Sequence, residues 1–261
     1  AAVILPWNDP LRVVEKVAML DSLSEGRVVL GMGRGAARRE FNGFRQDIAD
    51  SREMFDEAAL IIMDGLETGT VKADTKHYQQ PEVEVRPRPE GWTRDRMLMV
   101  SMSPSSAEVA ADYGLKALRF SQGDWSHSMA EINRYRETFE AKHGKKAPPF
   151  VISDFVVCVD TEEEVGEYTD KYFAAQFYQV ANHYEWGGEH FKSMPSYATY
   201  VALGDAMNAA GGPEKAYKDY IAGNLIGTPE QLIEKDAMRK STVGDYDIIA
   251  NFSYGGMSYD R

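Results

Sequence analysis

The segment RVVLGMGRGAARREF, residues 27–41, combines a strand pattern with a glycine-rich loop that contains arginine. Its apolar run at residues 28–30 is rich in β-formers, which is typical of a parallel strand covered on both faces. Three alternate glycines at residues 31–35 then allow the backbone to turn sharply and a ligand to approach it closely. Arg34, between two of them, carries a planar and permanent charge that suits a phosphate group. Because no fixed phosphate-loop signature is present, a plain strand-to-loop turn with a solvated arginine explains the segment equally well.

The overall composition is that of a globular protein with an acid excess. The 261 residues carry a net charge of −12, which argues against a nucleic acid or an anionic membrane as the main partner. No apolar run approaches the length that crosses a membrane. The single cysteine, Cys158, excludes an internal disulfide bond and fits a reducing compartment, and we expect its side chain to fill the core. We therefore expect a cytoplasmic protein that binds neither nucleic acid nor membrane.

Strand-like and helical patterns alternate along the chain. Six strand-like runs lie at residues 1–5, 28–30, 97–102, 116–121, 150–159 and 245–252. Helices separate most of them, and their starts carry capping signals, the clearest of which is Thr228 followed by Pro229. This alternation predicts an α/β fold with a parallel sheet, either doubly wound or closed as a (β/α)8 barrel. Both folds fit the pattern, and the absence of a GxGxxG segment followed by an acidic residue at the right distance disfavours dinucleotide binding.

Two further patterns indicate an anion site at the carboxyl ends of the strands, where both folds bind ligands. Ser103, Ser105 and Ser106 cluster at the positive end of a predicted helix, where hydroxyl and N–H groups together attract an anion. Simple capping needs only one serine, so the cluster favours a phosphate. Arg52 lies in the first turn of a helix predicted over residues 51–66, where the dipole disfavours a cation. It therefore needs solvent or an anionic partner.

Two segments do not follow the alternation. Residues 69–96 are rich in turns and contain a short extended piece, which indicates an insertion between two units of the barrel. Residues 183–212 are irregular and indicate an active-site lid or a disordered excursion. His183 and His190 lack the spacing of a zinc site, and we expect no metal.

An ordered set of short motifs resembles the bacterial luciferase-like, flavin-dependent monooxygenases. The motifs are AAVILP at 1–6, DPLRVVE at 9–15, LDSLSEGR at 20–27, GMGRG at 31–35, SREMFD at 51–56, AEVAADYGL at 107–115 and GTPEQ at 227–231. Each motif is weak alone, but their order is specific over nearly the whole chain. The resemblance implies one domain over residues 1–261 with the (β/α)8 TIM barrel of this family and its insertions. It further implies that the chain covers about strands three to eight, so that strands one and two and the C-terminal helix are missing.

The resemblance also implies a flavin site. Arg34 and Arg52 would bind the flavin phosphate, which would supply the anion that Arg52 needs. Ser103 and Ser106 would join them from the helix N-terminus.

Two backbone features would lie beside the flavin ring. Ala1 and Ala2 match the position of a non-prolyl cis peptide under the isoalloxazine ring. The junction of Met102 and Ser103 matches a second such feature, although luciferase has Glu where this chain has Met102. Gly33 stands where luciferase has a reactive cysteine, so thiol-linked behaviour is not expected. The catalytic histidine of the family would precede residue 1, and none of the five histidines of this chain replaces it.

The implied activity is oxygenation of a small, apolar organic substrate by reduced FMN and O2. A separate flavin reductase would supply the reduced FMN, and the protein would form a homodimer or a heterodimer. An oxidoreductase that uses the deazaflavin F420 on the same fold is the first alternative, ranked second because the loop through Glu40 and Phe41 looks more like the branch that uses FMN. A non-catalytic flavin-binding or structural protein is the next alternative. An enzyme of phosphate esters on an unrelated barrel is disfavoured by the order of the motifs.

Overall fold

The computed structural model describes residues 2–121, 123, 125–194, 197–209 and 212–258. These residues form two compact units. The first comprises Ala1–Val100 and Tyr113–Lys116, and the second comprises Ser101–Asp112 and Ala117–Arg261.

The first unit alternates strands with helices and contains one hairpin. Its elements are β1 (Ala2–Ile4), α1 (Pro10–Leu23), β2 (Leu30–Gly33), α2 (Arg38–Gly43), α3 (Ser51–Thr68), β3 (Thr70–Asp74), β4 (Gln79–Glu84) and β5 (Met97–Val100). Strands β1, β2 and β5 pair in parallel, with Val3 opposite Met32 and Met32 opposite Met99. Asp9 followed by Pro10 predicts a helix start, and the structure confirms it, because the Asp9 side chain accepts a hydrogen bond from the Arg12 N–H group at 3.1 Å.

The organising strand begins later than the apolar run predicts. Strand β2 starts at Leu30, while Val29 is 55% exposed and precedes the strand. Gly31 and Gly33 lie within β2, so the prediction that they turn the backbone is wrong. Only Gly35 has a positive φ, at 83°. The shift arises because pairing with β1 and β5 covers the strand at its glycine end, whereas valine propensity alone does not decide where pairing starts.

The hairpin of β3 and β4 is attached to the start of α3. The Thr75 hydroxyl donates to Glu57 Oε2 at 2.7 Å, and the His77 N–H group donates to the same oxygen at 3.0 Å. Lys76 Nζ lies 2.6 Å from Glu53 Oε2. The short extended piece predicted within residues 69–96 is thus one strand of an antiparallel hairpin.

The second unit is also built of parallel strands and helices. Its elements are α4 (Pro104–Asp112), β6 (Lys116–Phe120), α5 (Met129–His143), β7 (Phe150–Cys158), α6 (Glu162–Tyr168), α7 (Ala174–His183), α8 (Ala198–Ala209), α9 (Pro213–Gly223), β8 (Leu225–Gly227), α10 (Pro229–Val243) and β9 (Tyr246–Asn251). Strand β7 pairs in parallel with β6, β8 and β9. The strand β8 is not among the six predicted runs, because its three residues are too few to show a period.

Local capping signals in the second unit are confirmed. Thr161 and Glu164 form a capping box at α6, and Thr228 and Gln231 form another at α10. The sequence from Thr161 to about residue 184 predicts one continuous helix, whereas the structure interrupts it with a π turn at Thr169–Phe173.

Two predictions about this unit are wrong. The segment predicted as irregular, residues 183–212, contains α8, and its residues 195–196 and 210–211 lie outside the described residues. Cys158 is exposed at the end of β7 instead of filling the core, because β7 ends there and the pleat turns the last side chain outward.

A fully buried ion pair ties α10 to β7. Arg239 donates from both terminal nitrogens to Asp154, at 2.6 and 2.9 Å, and one of these nitrogens also donates to the Gly223 carbonyl at 2.8 Å. The Ser121 hydroxyl donates to Asp154 Oδ1 at 2.6 Å. Both oxygens of the carboxylate are therefore satisfied within the unit.

Within the described ranges, no helix is both long enough and apolar enough to cross a membrane.

Candidate functional site

The loop after β2 is shaped by Gly35. A Cβ atom there would lie 2.8 Å from Ile4 Cγ2 and 3.0 Å from Trp7 Cη2, and the positive φ already disfavours other residues. Arg34, just before this glycine, is half-buried at the carboxyl end of β2. At Gly33, a Cβ atom would lie 3.0 Å from Ile4 Cδ1, so the position is close-packed without a side chain.

Arg52 has an anionic partner in the structure. Its Nε atom donates to Asp56 Oδ2 at 3.0 Å, one turn further along α3. The expectation that Arg52 needs solvent or an anionic partner is therefore confirmed, and the partner is a side chain of the same helix. The sequence contains the signal that finds this pair, because Asp56 ends the SREMFD motif four residues after Arg52.

Asp56 links the two arginines electrostatically. Burial raises the pKa of the Asp56 carboxyl above its ordinary value, and the positive charges of Arg52 and Arg34 oppose this rise. The second oxygen, Oδ1, is buried and accepts no hydrogen bond from the residues that the structure describes. The first unit thus brings Arg34 and Arg52 into the field of one carboxylate.

The serines at the start of α4 cap one another. The Ser106 N–H group donates to Ser103 Oγ at 3.3 Å, and the Ser103 N–H group donates to Ser106 Oγ at 3.0 Å. The two hydroxyl oxygens lie 2.9 Å apart, and Ser105 Oγ lies 3.2 Å from Ser103 Oγ. Capping thus involves two serines, so the inference that a second serine indicates a phosphate is weakened. The hydroxyl groups nevertheless remain at a helix N-terminus, where an anion is favoured.

The remaining predicted site residues are Ala1, Ala2 and Met102. Ala1, and with it the predicted cis peptide, lies outside the described residues. Ala2 is half-buried in β1 and pairs with Gly31. Met102 is half-buried and its sulfur accepts a hydrogen bond from the Phe120 N–H group at 3.3 Å. Met102 is therefore engaged with the end of β6 in its own unit.

Histidines with described contacts are held by neighbours. His143 Nε2 lies 2.8 Å from the Ala111 carbonyl, and His77 Nε2 lies 3.1 Å from Glu53 Oε2. Asp50, Glu53 and His77 offer ligand atoms within 4.8 Å of one another. Lys76 already binds Glu53 and lowers the pKa of that carboxyl, so this group is neutralised by an ammonium.

Each unit by itself contains groups that fit the phosphate of an anionic cofactor such as FMN. The first unit has the guanidinium groups of Arg34 and Arg52, which suit a phosphate, and the second has the hydroxyl groups of Ser103 and Ser106 at a helix N-terminus, where an anion is favoured. At Gly33 and Gly35 the side chains of Ile4 and Trp7 occupy the space that a Cβ atom would need, so both positions require glycine.

Comparison with known proteins assigns the family. The family model described as luciferase-like monooxygenase matches residues 1–245. The alkanal monooxygenase alpha chain of the Kryptophanaron alfredi symbiont is 25% identical over 275 residues, with 98% of this chain and 72% of that protein covered. The alpha chain of Photorhabdus luminescens is 31% identical over 137 residues, with 52% and 38% covered. The beta chain of Photorhabdus laumondii subsp. laumondii is 28% identical over 138 residues, with 53% and 41% covered. These last two matches span less than half of the relatives' length.

Solved structures show the fold. Monooxygenase RslO1 from Streptomyces bottropensis superposes with a TM-score of 0.74 at 20% identity, covering 100% of this chain and 72% of that one. The oxygenating constituent of 3,6-diketocamphane monooxygenase from Pseudomonas putida, in complex with FMN, gives 0.67 at 16% identity, with 97% and 72% covered. An F420-dependent secondary alcohol dehydrogenase gives 0.68 at 15% identity, with 96% and 71% covered. The predicted α/β fold of the TIM-barrel, luciferase-like type is confirmed. The chain belongs to the luciferase-like monooxygenase family.

Proposed function

We propose that this protein is a flavin-dependent monooxygenase that uses reduced FMN and O2 to oxygenate a small, apolar organic substrate. The observation that carries the proposal is the pair Arg34 and Arg52, whose charges act on one partly buried carboxylate, Asp56. Two half-buried guanidinium groups in one field are suited to a phosphate dianion. Membership of the luciferase-like family supports the flavin as the carrier of that phosphate.

Each residue has a defined task in this proposal. Arg34 and Arg52 bind the phosphate with charged hydrogen bonds, and Ser103 and Ser106 add hydroxyl contacts at the start of α4. Residues 1–2 and the junction of Met102 and Ser103 provide backbone next to the isoalloxazine ring. When bound, reduced FMN supplies the electrons and the reaction with O2. The protein holds the phosphate, orients the ring and excludes water from the reacting atoms.

F420 is the second candidate cofactor. The likeness to the F420-dependent alcohol dehydrogenase has a TM-score of 0.68, against 0.67 for the FMN-bound monooxygenase, so the fold does not favour either. Binding of F420 would make hydride transfer the reaction. A folded protein that binds neither cofactor would support the non-catalytic alternative.

The proposal includes partners and a location. A flavin reductase supplies reduced FMN, and the protein works as a dimer in the cytoplasm. The alpha and beta chains among the relatives support a heterodimer or a homodimer.

The test compares FMN with riboflavin, which has the same ring and lacks the phosphate. Titration of the protein with FMN, reduced FMN, riboflavin and F420, followed by flavin fluorescence and absorbance, identifies the cofactor. We expect Arg34→Ala and Arg52→Ala each to weaken FMN binding by about 1.5–3 kcal/mol, the scale of a charged hydrogen bond, and to leave riboflavin binding unchanged. O2 uptake with reduced FMN and a panel of apolar substrates then tests the reaction.

Arg12→Ala is the matched control, because Arg12 is an arginine on α1 of the same unit with a side chain that is 73% exposed. Unchanged FMN affinity in both site variants would refute the phosphate assignment. An equal loss for FMN and riboflavin would show that the arginines act on the fold rather than on the phosphate.

A further inference from the structure

The order of Arg52 and Asp56 along α3 is the less favourable one for stabilising a helix. An isolated helix favours an acidic residue four positions before a basic one, and here the order is reversed. Arg52 also lies in the first turn of α3, where the helix dipole repels a cation. Helix stability alone therefore does not account for this pair.

The contact leaves one edge of the guanidinium available. Asp56 Oδ2 accepts from Nε of Arg52, and the two terminal nitrogens of Arg52 donate to no residue in the part of the chain that the structure describes. A carboxylate at Nε restricts rotation of the planar group. The edge with both terminal nitrogens is the one that binds a phosphate in a bidentate manner.

The position of Asp56 is unfavourable for its charged carboxylate. Its Oδ1 atom is shielded from water without a hydrogen-bond donor among the described residues, which destabilises the charged carboxylate. The charges of Arg52 and Arg34 offset part of this cost. The carboxylate thus interacts mainly with the two arginines.

We propose that Asp56 is a positioning residue that holds the guanidinium of Arg52 in the orientation that binds the phosphate of the flavin cofactor. The inference rests on the proposed function of Arg52. Asp56 touches neither the phosphate nor the ring, and it acts through Arg52.

Simple electrostatics predicts the opposite sign for its removal. A carboxylate near a phosphate dianion repels it, so a variant without this charge would bind FMN more tightly if Asp56 had no positioning role. Weaker FMN binding by a variant without this charge would therefore indicate a positioning role, and tighter binding would indicate charge repulsion alone.

The experiment measures the dissociation constants of FMN and riboflavin for Asp56→Asn and Asp56→Glu. We expect Asp56→Asn to weaken FMN binding by roughly threefold to tenfold, the scale of one oriented hydrogen bond, with riboflavin binding unchanged. We expect Asp56→Glu to stay within about twofold of the parent, because the carboxylate still reaches an arginine at this helical spacing. Asp236→Asn on α10 is the matched control, since Asp236 also pairs with a cation four residues away and is 37% exposed against 35% for Asp56.

Unchanged or tighter FMN binding by Asp56→Asn would overturn the inference, as would an equal loss for riboflavin. The Arg52→Ala variant distinguishes failure of the phosphate role of Arg52 from failure of the positioning role of Asp56. If it binds FMN normally, the proposed function of Arg52 fails. If it binds FMN weakly while Asp56→Asn binds normally, only the positioning role fails. In the Arg52→Ala background, Asp56→Asn should cause no further loss, and an additive loss would contradict action through Arg52.

Discussion

The two units each contain an arginine–aspartate pair, and the pairs differ in what they leave unsatisfied. Arg239 and Asp154 form a bidentate contact with side chains 4% and 0% exposed, and further hydrogen bonds complete both groups. Arg52 and Asp56 share one hydrogen bond, are about one-third exposed, and leave one carboxylate oxygen without a donor among the described residues. A complete pair stabilises the fold and has no capacity for a ligand. An incomplete pair contributes little to stability and retains donors that can bind an anion.

Breaking the complete pair should give the largest effect. Arg239→Met leaves the Asp154 charge buried with Ser121 as its one side-chain donor among the described residues, and we expect a loss of about 3–5 kcal/mol in the free energy of unfolding. Urea denaturation measures this loss. The double variant Arg239→Met with Asp154→Leu should recover most of it, because no uncompensated charge remains. A loss below 1 kcal/mol in the single variant would show that the pair is not the structural one.

Distorting the loop next to Arg34 should give an intermediate effect. Gly35→Ala combines a φ of 83° with approaches of 2.8 and 3.0 Å to Ile4 and Trp7, and we expect it to cost about 2–4 kcal/mol and to weaken FMN binding. Gly26→Ala is the control, because its φ of 80° is similar and a Cβ atom there meets nothing within 4 Å. It should cost about 1 kcal/mol and leave FMN binding unchanged. Equal losses in the two variants would mean that close packing does not shape this loop.

The smallest effect concerns stability and pH at Asp56. The pKa of Asp56 is higher in the folded protein than in the unfolded chain, so folding takes up a proton at pH values between the two. The free energy of unfolding therefore falls as the pH rises through this range. Asn does not titrate, so the Asp56→Asn variant does not show this fall. The free energy of unfolding of the variant, relative to that of the parent, should therefore increase between pH 4 and pH 7. We expect a gain of roughly a few tenths of a kcal/mol, since the group is partly exposed. Denaturation curves at both pH values check the sign, and a decrease would indicate a lowered pKa.

Local features of the fold were predictable from the sequence. Capping boxes at α6 and α10 and the start of α1 depend on residues three or four positions apart, and all three are confirmed. The start of β2 was predicted too early, because pairing with neighbouring strands decides where a strand begins. The helix α8 was missed, because it lies in a segment rich in glycine, aromatic residues and methionine that shows no clear helical period.

In the ion pairs, too, contacts between residues close in sequence were predictable and contacts between distant residues were not. The pair of Arg52 and Asp56 was within reach of the four-residue rule and was overlooked. The pair of Arg239 and Asp154 joins residues 85 positions apart, and nothing in the local sequence connects them. The roles of Arg34, Arg52, Ser103 and Ser106 toward a phosphate came from the resemblance and stay predictions.

The attachment of the β3–β4 hairpin has a consequence for the rate of anion capture. Thr75 and His77 donate to Glu57, and Lys76 donates to Glu53, so the first two turns of α3, where Arg52 lies, are tied to residues 18 to 23 positions downstream. If Arg52 binds the cofactor phosphate as proposed, this attachment orders the turn before binding and removes one conformational barrier to association. Amide hydrogens of this turn should exchange slowly with solvent even in the ligand-free protein. Changes in the hairpin would therefore alter how fast an anion is captured without changing any group that touches it.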